Sequence, residues 1–261
     1  MITVILNVFK RREYFEKQIN AILSQTVKPT EIFVWNNSGI PINSSLVDLE
    51  VTSSKNLGVW SRFSLALNTK NKFISIIDDD TIPGKKWYEN CLKCFNEKPA
   101  IYGARGIRFY FNNLYLPVEE FGIYGPSDKT NIVDIVGHNW FFLKEWLPYF
   151  WMESSISDST FVGEDINLSY SLKKHLNIDT FVPPHPKNDF DLWGGNVVDS
   201  INLGRMDVAI SMNSQHLRSM NETYKRYINE GLVLNKKGKD IFVGNFLLFK
   251  KLVGDLIRTR Y

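Results

Sequence analysis

The chain has 261 residues, 44% of them hydrophobic and 14% aromatic, ample material for one well-buried core. Its 31 basic and 28 acidic residues leave a net charge of +3, too mild for nucleic acid as the main partner, which would demand a concentrated basic face. No stretch approaches the ~20 apolar residues that span a bilayer, no cleavable leader follows Met1, and the two cysteines, Cys91 and Cys94, exclude a disulfide framework.

The expectation is therefore a soluble, cytoplasmic protein, or a catalytic domain cut from a longer anchored one. Residues 2–8, ITVILNV, are apolar and β-branched, which predicts a buried parallel strand. Phe15, Ile19, Ile22 and Leu23 recur at helical spacing, one stripe facing a sheet. Pro29 breaks the chain, Glu31 to Trp35 predicts a second strand, and Val51 to Ser53 a third. Arg62 to Leu67 reads as a helix and Phe73 to Ile77 as another buried strand. This alternation points to a doubly wound α/β sheet. After Pro83-Gly84 a helix starts close to Lys85, with Trp87, Cys91, Cys94 and Phe95 on one face. Two cysteines on an apolar stripe read as core rather than as a zinc or redox pair. Ile101 to Tyr110 and Ile132 to Phe142 read as strands around a long loop, Glu164 to Leu176 as a helix, and Asp179 to Val182 as a strand. Pro183 to Asn196 is rich in Pro, Gly, Asp and Asn and reads as a mobile loop. The C-terminal third is helical in pattern.

The segment FISIIDDDTIPG, Phe73 to Gly84, ends an apolar strand in three carboxylates, Asp78, Asp79 and Asp80. Ligands of open α/β sheets bind just beyond the C-terminal strand ends. Three adjacent carboxylates repel one another, and a divalent cation, Mg²⁺ or Mn²⁺, compensates them through hard oxygen ligands. In an extended chain Asp78 and Asp80 point the same way and can share one ion. A solvated acidic turn is the plainer alternative. Glu164 and Asp165 follow Gly163 in a helix's first turn, where the dipole favours acids.

With these features in place, the sequence resembles glycosyltransferases of the A-type fold, especially family 2 and the exostosin-like family 64. The resemblance runs over about residues 2–185. It is carried by ITVILNVFKRREYFEKQINAILSQTVKPTEIFVWNN with Gln25-Thr26, by SKNLGVWSRFSLALN with Asn56 and Arg62, by the aspartate triplet, by IVGHNWFF (Ile135 to Phe142), and by GEDINLSYSLKKH (Gly163 to His175). Asn36-Asn37 replaces the Asp pair usual in family 2 and looks more like family 64. The resemblance implies a mixed central sheet flanked by helices. Residues 1–200 would form the catalytic domain, its nucleotide-binding half reaching to about residue 82 and its acceptor half covering 83–200, with 201–261 a helical extension. It implies a nucleotide-diphosphate sugar, UDP- or GDP-linked, as donor, and a glycan, lipid-linked or protein acceptor.

The implied roles have a physical basis. Asn36 and Asn37 carry carboxamides that match a base edge. Arg62, with either Lys10 or Arg11, would offset the pyrophosphate. Asp78 would serve the ribose or base side and the metal, Asp80 the metal, and Asp79 would support them. Asp165, with Glu164, would be the general base of inverting relatives or would steady the charged transition state of retaining ones. Gly137 would admit the acceptor closely, His138 would contact sugar hydroxyls, and Trp140 and Trp193 would stack on a sugar ring; core packing is the alternative for all three side chains. His216 is the candidate for a further metal ligand, with His185 competing. The stretch Phe246 to Ile257, with Lys250, Lys251, Arg258 and Arg260, is expected to pack on the domain or a second subunit, with a membrane surface as the alternative. Two other classes remain open. A nucleotidyltransferase would also use carboxylates and metal, although LNVFKRREYF lacks the glycine of a phosphate loop, and a non-catalytic sugar- or nucleotide-binding module would keep the site without turnover.

Overall fold

The parallel half of the sheet is built from β1 (Ile2–Val8), β2 (Glu31–Asn36), β3 (Leu49–Thr52) and β4 (Phe73–Ile77). All five residues of β4 are buried, as an apolar strand covered on both faces must be. The computed structural model describes residues 1–116, 119–196 and 214–235. Its remaining strands are β5 (Ile101–Arg108), β6 (Glu119–Gly122), β7 (Asn131–Val133), β8 (Ile135–Leu143) and β9 (Thr180–Val182). Together they form one mixed nine-stranded sheet in the order β3-β2-β1-β4-β8-β5-β9-β7, with β6 paired to β5. The first four strands are mutually parallel, whereas β8 runs antiparallel to both β4 and β5.

Helices flank this sheet. α1 (Phe15–Leu23) buries Phe15, Ile19 and Ile22, with Gln18 beside them. α2 (Ser61–Leu65) buries Arg62 and Phe63. α3 (Trp87–Glu97) buries Trp87, Tyr88, Cys91, Cys94 and Phe95, so the cysteines are core side chains with free thiols, and burial pushes both thiols up. α4 (Leu147–Met152), α5 (Glu164–Leu176) and α6 (Ser214–Asn229) complete the described helices. No helix among the described residues is long and apolar enough to cross a membrane.

The sequence pattern and the structure part company in the antiparallel half. The single strand expected over Ile132 to Phe142 is two, because β7 pairs with β9 while β8 pairs with β4 and β5. The chain changes sheet position at Asp134, whose buried carboxylate accepts from the backbone N–H groups of Phe109 (2.7 Å) and Asn235 (2.6 Å). β6 lies inside what reads as a long loop. The stretch Phe246 to Ile257 lies outside the described residues.

The Pro183–Asn196 segment, expected to be mobile, is tied down at several points. Asn90 Nδ2 donates to the carbonyls of Pro184 (2.8 Å) and Leu192 (2.9 Å), and Trp193 Nε1 donates to that of Pro186 (2.8 Å). Buried His185 has both ring nitrogens engaged. Nδ1 lies 2.8 Å from the Pro183 carbonyl and so carries the proton, and Nε2 accepts from Gly194 N at 3.1 Å. This imidazole is a structural strap rather than the competing metal ligand.

Burial lowers the His185 pKa from 6.5 to about 4. An unfolded chain takes up this proton below about pH 6.5 and the folded one only near pH 4, so the stabilisation is complete above the first value and declines toward the second, by about 3 kcal/mol in all. His185→Gln keeps a donor and an acceptor without titrating. Urea unfolding at pH 7 and pH 4.5 should show that variant losing about 2 kcal/mol less than the parent on acidification.

Candidate metal and ligand site

From β1 the chain proceeds to β2 and β3 on one side, while β4 lies on the other, so strand order reverses between β1 and β4. The crevice beyond their C-terminal ends is where open α/β sheets take ligands. β1 runs out into Lys10 and Arg11, and β4 into Asp78, Asp79 and Asp80. The aspartate turn is fixed by backbone. Asp78 N donates to the His138 carbonyl (2.9 Å), and Thr81 N donates to the Asp78 carbonyl (3.1 Å). From α1, buried Gln18 Nε2 clamps both ends, donating to the carbonyls of Asp78 (2.6 Å) and Thr81 (3.0 Å). The two ends of the turn are thus fixed, and it carries three carboxylates.

Each carboxylate has its own partner. Arg11 Nη1 reaches Asp79 at 2.6 Å and Asp80 at 3.5 Å, Arg62 pairs with Asp78, and His138 Nδ1 lies 3.6 Å from Asp80. Burial alone would raise Asp80, but His138, Arg11 and the Thr81 hydroxyl outweigh it and hold the carboxyl at about 2. For Asp79 burial wins, reinforced by Asp80 and Asp78 against Arg11, and its pKa rises to about 6.

His138 reaches this cluster through a backbone irregularity. Gly103 pairs with Trp140 and Arg105 with Gly137, so Ala104 alone opposes His138 and Asn139, a β-bulge within β8. His138 takes a left-handed conformation there, φ +66°, at a cost of roughly 1–2 kcal/mol. Asn139 anchors the bulge by accepting from Ser75 Oγ at 2.8 Å. A side chain on Gly137 would meet nothing within 4 Å, so the strand is open beside the histidine.

The second acidic feature lies at the start of α5. Gly163 adopts φ +89°, and a Cβ on it would stand 2.6 Å from Thr223 Cγ2, so glycine is needed for the entry. Buried Arg62 joins the two features. Its Nη2 reaches Glu164 at 2.8 Å, its other arm holds Asp78, and its guanidinium lies 4.6 Å from the centre of the Trp140 ring. Burial holds the Glu164 carboxyl above the usual range, with Asp165 adding to the shift and Arg62 opposing it. Burial also raises Asp165, against the Ile166 N–H that donates to it at 2.7 Å.

One ligand atom each from Asp78, Asp80 and His138 lies within 4.8 Å of the others, the one such triad among the described residues. At the strand-order switch three carboxylates (Asp78, Asp79, Asp80) face Arg11 and an Arg62 that is shared with Glu164, an acidic excess that a divalent cation would offset. Two carboxylates with an imidazole suit Mn²⁺ better than Mg²⁺, which prefers oxygen alone.

Other sequence candidates fall outside this arrangement. Lys10 is exposed beside Phe9, so Arg11 is the basic residue of that pair in the site. Asn36 is spent: Nδ2 donates to the Ile40 carbonyl and Glu50, and Oδ1 accepts from Ser38 N and Oγ. It shapes the strand end and has no capacity left for a base. Asn37 accepts from Trp35 Nε1 and Leu57 N and donates to the Gly58 carbonyl, which leaves one amide hydrogen. Asn56 caps a turn by accepting from Gly58 N. Trp140 and Trp193 are 2% and 3% exposed, so neither offers a ring face to a sugar; Trp140 supports Arg62 and Trp193 packs on His185. His216 is not in the triad and lies against Phe161. The sequence reading missed Gln18 altogether and placed His138 on the acceptor. The available signal was Gly137-His138-Asn139, three residues tolerant of bulge geometry inside a strand.

Comparison with protein-family models and with curated proteins returns no match. If the triad is a metal site, His138→Ala should weaken Mn²⁺ binding at least about tenfold, read by electron paramagnetic resonance titration of free Mn²⁺. His216→Ala should leave it unchanged.

Proposed function

We propose that the chain is a metal-dependent glycosyltransferase of the A-type fold that moves a monosaccharide from a UDP- or GDP-sugar to an acceptor hydroxyl. The observation that carries this reading is the pairing of two acidic features through buried Arg62: the Asp78–Asp80–His138 triad at the strand-order switch, and Glu164-Asp165 at the start of α5. The resemblance of the residue order to families 2 and 64 supports the same reading.

A divalent ion held by Asp78, Asp80 and His138 would supply positive charge to the departing diphosphate. Arg11 sits beside the triplet and would contribute a second positive charge on that side. Asp165 lies in the first turn of α5 with a carboxyl raised by burial, which suits a group that accepts the hydroxyl proton of the acceptor. That favours the inverting role of the two the resemblance implies. Glu164, engaged with Arg62, positions Asp165's turn rather than meeting substrate.

Incubation with a panel of UDP- and GDP-sugars, Mn²⁺ and candidate acceptors should release the nucleoside diphosphate. Asp80→Ala and Asp165→Ala should each lower that rate at least about 100-fold while leaving the circular dichroism spectrum intact. Full activity in either variant would sink the assignment. Binding of UDP without release would point to a binding module, and pyrophosphate release from a nucleoside triphosphate to a nucleotidyltransferase.

A further inference from the structure

β5 and β6 form a hairpin next to the His138 bulge, and its charged side chains have no part in the chemistry above. The chain leaves β6 in a tight turn in which Gly122 and Gly125 exchange backbone hydrogen bonds (2.9 and 3.1 Å). Gly122 has φ +78°, and a Cβ on it would stand 2.1 Å from the Ala104 carbonyl oxygen, so the turn needs glycine. It places the Tyr124 ring 6.0 Å from that of His138, edge to face. Arg105, opposite Gly122 in the β5–β6 register, lays its guanidinium 5.0 Å from the centre of Tyr124 and pairs with Glu120 at 3.0 Å. The Arg105 and Glu120 side chains are 26% and 27% exposed, paired with each other yet open to a ligand.

This wall continues to the second acidic feature. Tyr115 packs near Phe109, ring centres 5.0 Å apart, on the apolar cluster that holds both Ile107 of β5 and Ile166, the residue after Asp165, and the charge of Arg105 favours the ionised form of Asp165. Burial keeps the Tyr115 phenol protonated and able to donate. We infer that Arg105, Glu120 and Tyr124 form the acceptor subsite, and that its ligand is an uncharged polyhydroxyl ring. The inference rests on the glycosyltransferase reading for the word acceptor. The chemistry of the wall decides the class. A guanidinium and a carboxylate held side by side present donors and acceptors together, which vicinal hydroxyls match. Arg105 is already matched by Glu120, and Asp165 adds negative charge, so a phosphate or carboxylate would have to displace one acid and face another.

Saturation-transfer NMR in the presence of UDP and Mn²⁺ tests this with a mixture of methyl glycosides of glucose, galactose, mannose and N-acetylglucosamine, and with glucose 6-phosphate as the charged probe. At least one neutral glycoside should bind, and binding should weaken roughly tenfold in Arg105→Ala, with part of it restored in Arg105→Lys. Glu120→Gln, which removes the matching charge without changing shape, should turn preference toward glucose 6-phosphate. A merely structural role for the pair would not reverse that preference. Equal neutral binding by parent, Arg105→Ala and Glu120→Gln overturns the subsite. Tighter binding of glucose 6-phosphate than of every glycoside by the parent overturns the class of ligand. UDP binding with no glycoside binding overturns the inference and leaves the transferase reading standing, whereas loss of UDP·Mn²⁺ binding refutes that reading while the glycoside comparison among variants still judges the subsite.

Discussion

A guanidinium taken out of water costs several kcal/mol unless its charge and its N–H groups are met by partners of good geometry. Arg62 is 2% exposed, and what meets it are two carboxylates from distant parts of the chain, Asp78 after β4 and Glu164 at the start of α5, with the Trp140 ring beneath. α2 is only five residues long and could not hold such a group by itself. Its position comes from Phe63, which stacks on Phe150 at 4.5 Å and meets Trp140 edge-on at 6.0 Å. The aromatic layer fixes the cation, and the cation fixes both acidic features relative to each other.

The same site concentrates departures from ordinary stability rules. Three adjacent carboxylates share Arg11 and an Arg62 that also serves Glu164, and His138 takes a left-handed conformation within a strand. Such costs persist only where the surroundings over-determine them. Gln18 holding both ends of the aspartate turn, and Asn139 bonded to Ser75, are the constraints that do so. A folded chain that keeps unfavourable acids close together is poised to gain stability from a cation that binds only the native state.

What could be read in the sequence follows the range of the interactions. β1, β4 and α5 run over the residues expected of them, since an apolar run or a Gly163-led helix start is local information. The cysteine pair likewise read correctly as core from helical spacing. Asp134 splitting one apolar run into β7 and β8, and β6 inside a loop, depend on which strand each segment meets. The burial of Trp140 and Trp193, and the full use of Asn36 by its own loop, depend on partners that spacing does not reveal. Candidate chemistry was legible by residue type at the aspartate triplet and Glu164, and illegible at Gln18 and Arg105, ordinary residues made special by position.

The Asp78–Asp80–His138 cluster is drawn from both sides of that divide. Asp78 and Asp80 leave the parallel half, built from strand–helix–strand units close in sequence, while His138 belongs to β8, the antiparallel strand joined to β4 from Ile77↔Asn139 to Phe73↔Leu143. The seam between the halves therefore carries the third member of the cluster. A β8 without its bulge would continue its alternation past Asn139 and turn the next side chain to the other face of the sheet. One extra residue in one strand thus separates a sheet that merely ends in acids from one that sets an imidazole beside them, and the same displacement places His138 against Tyr124, whose other neighbour is Arg105.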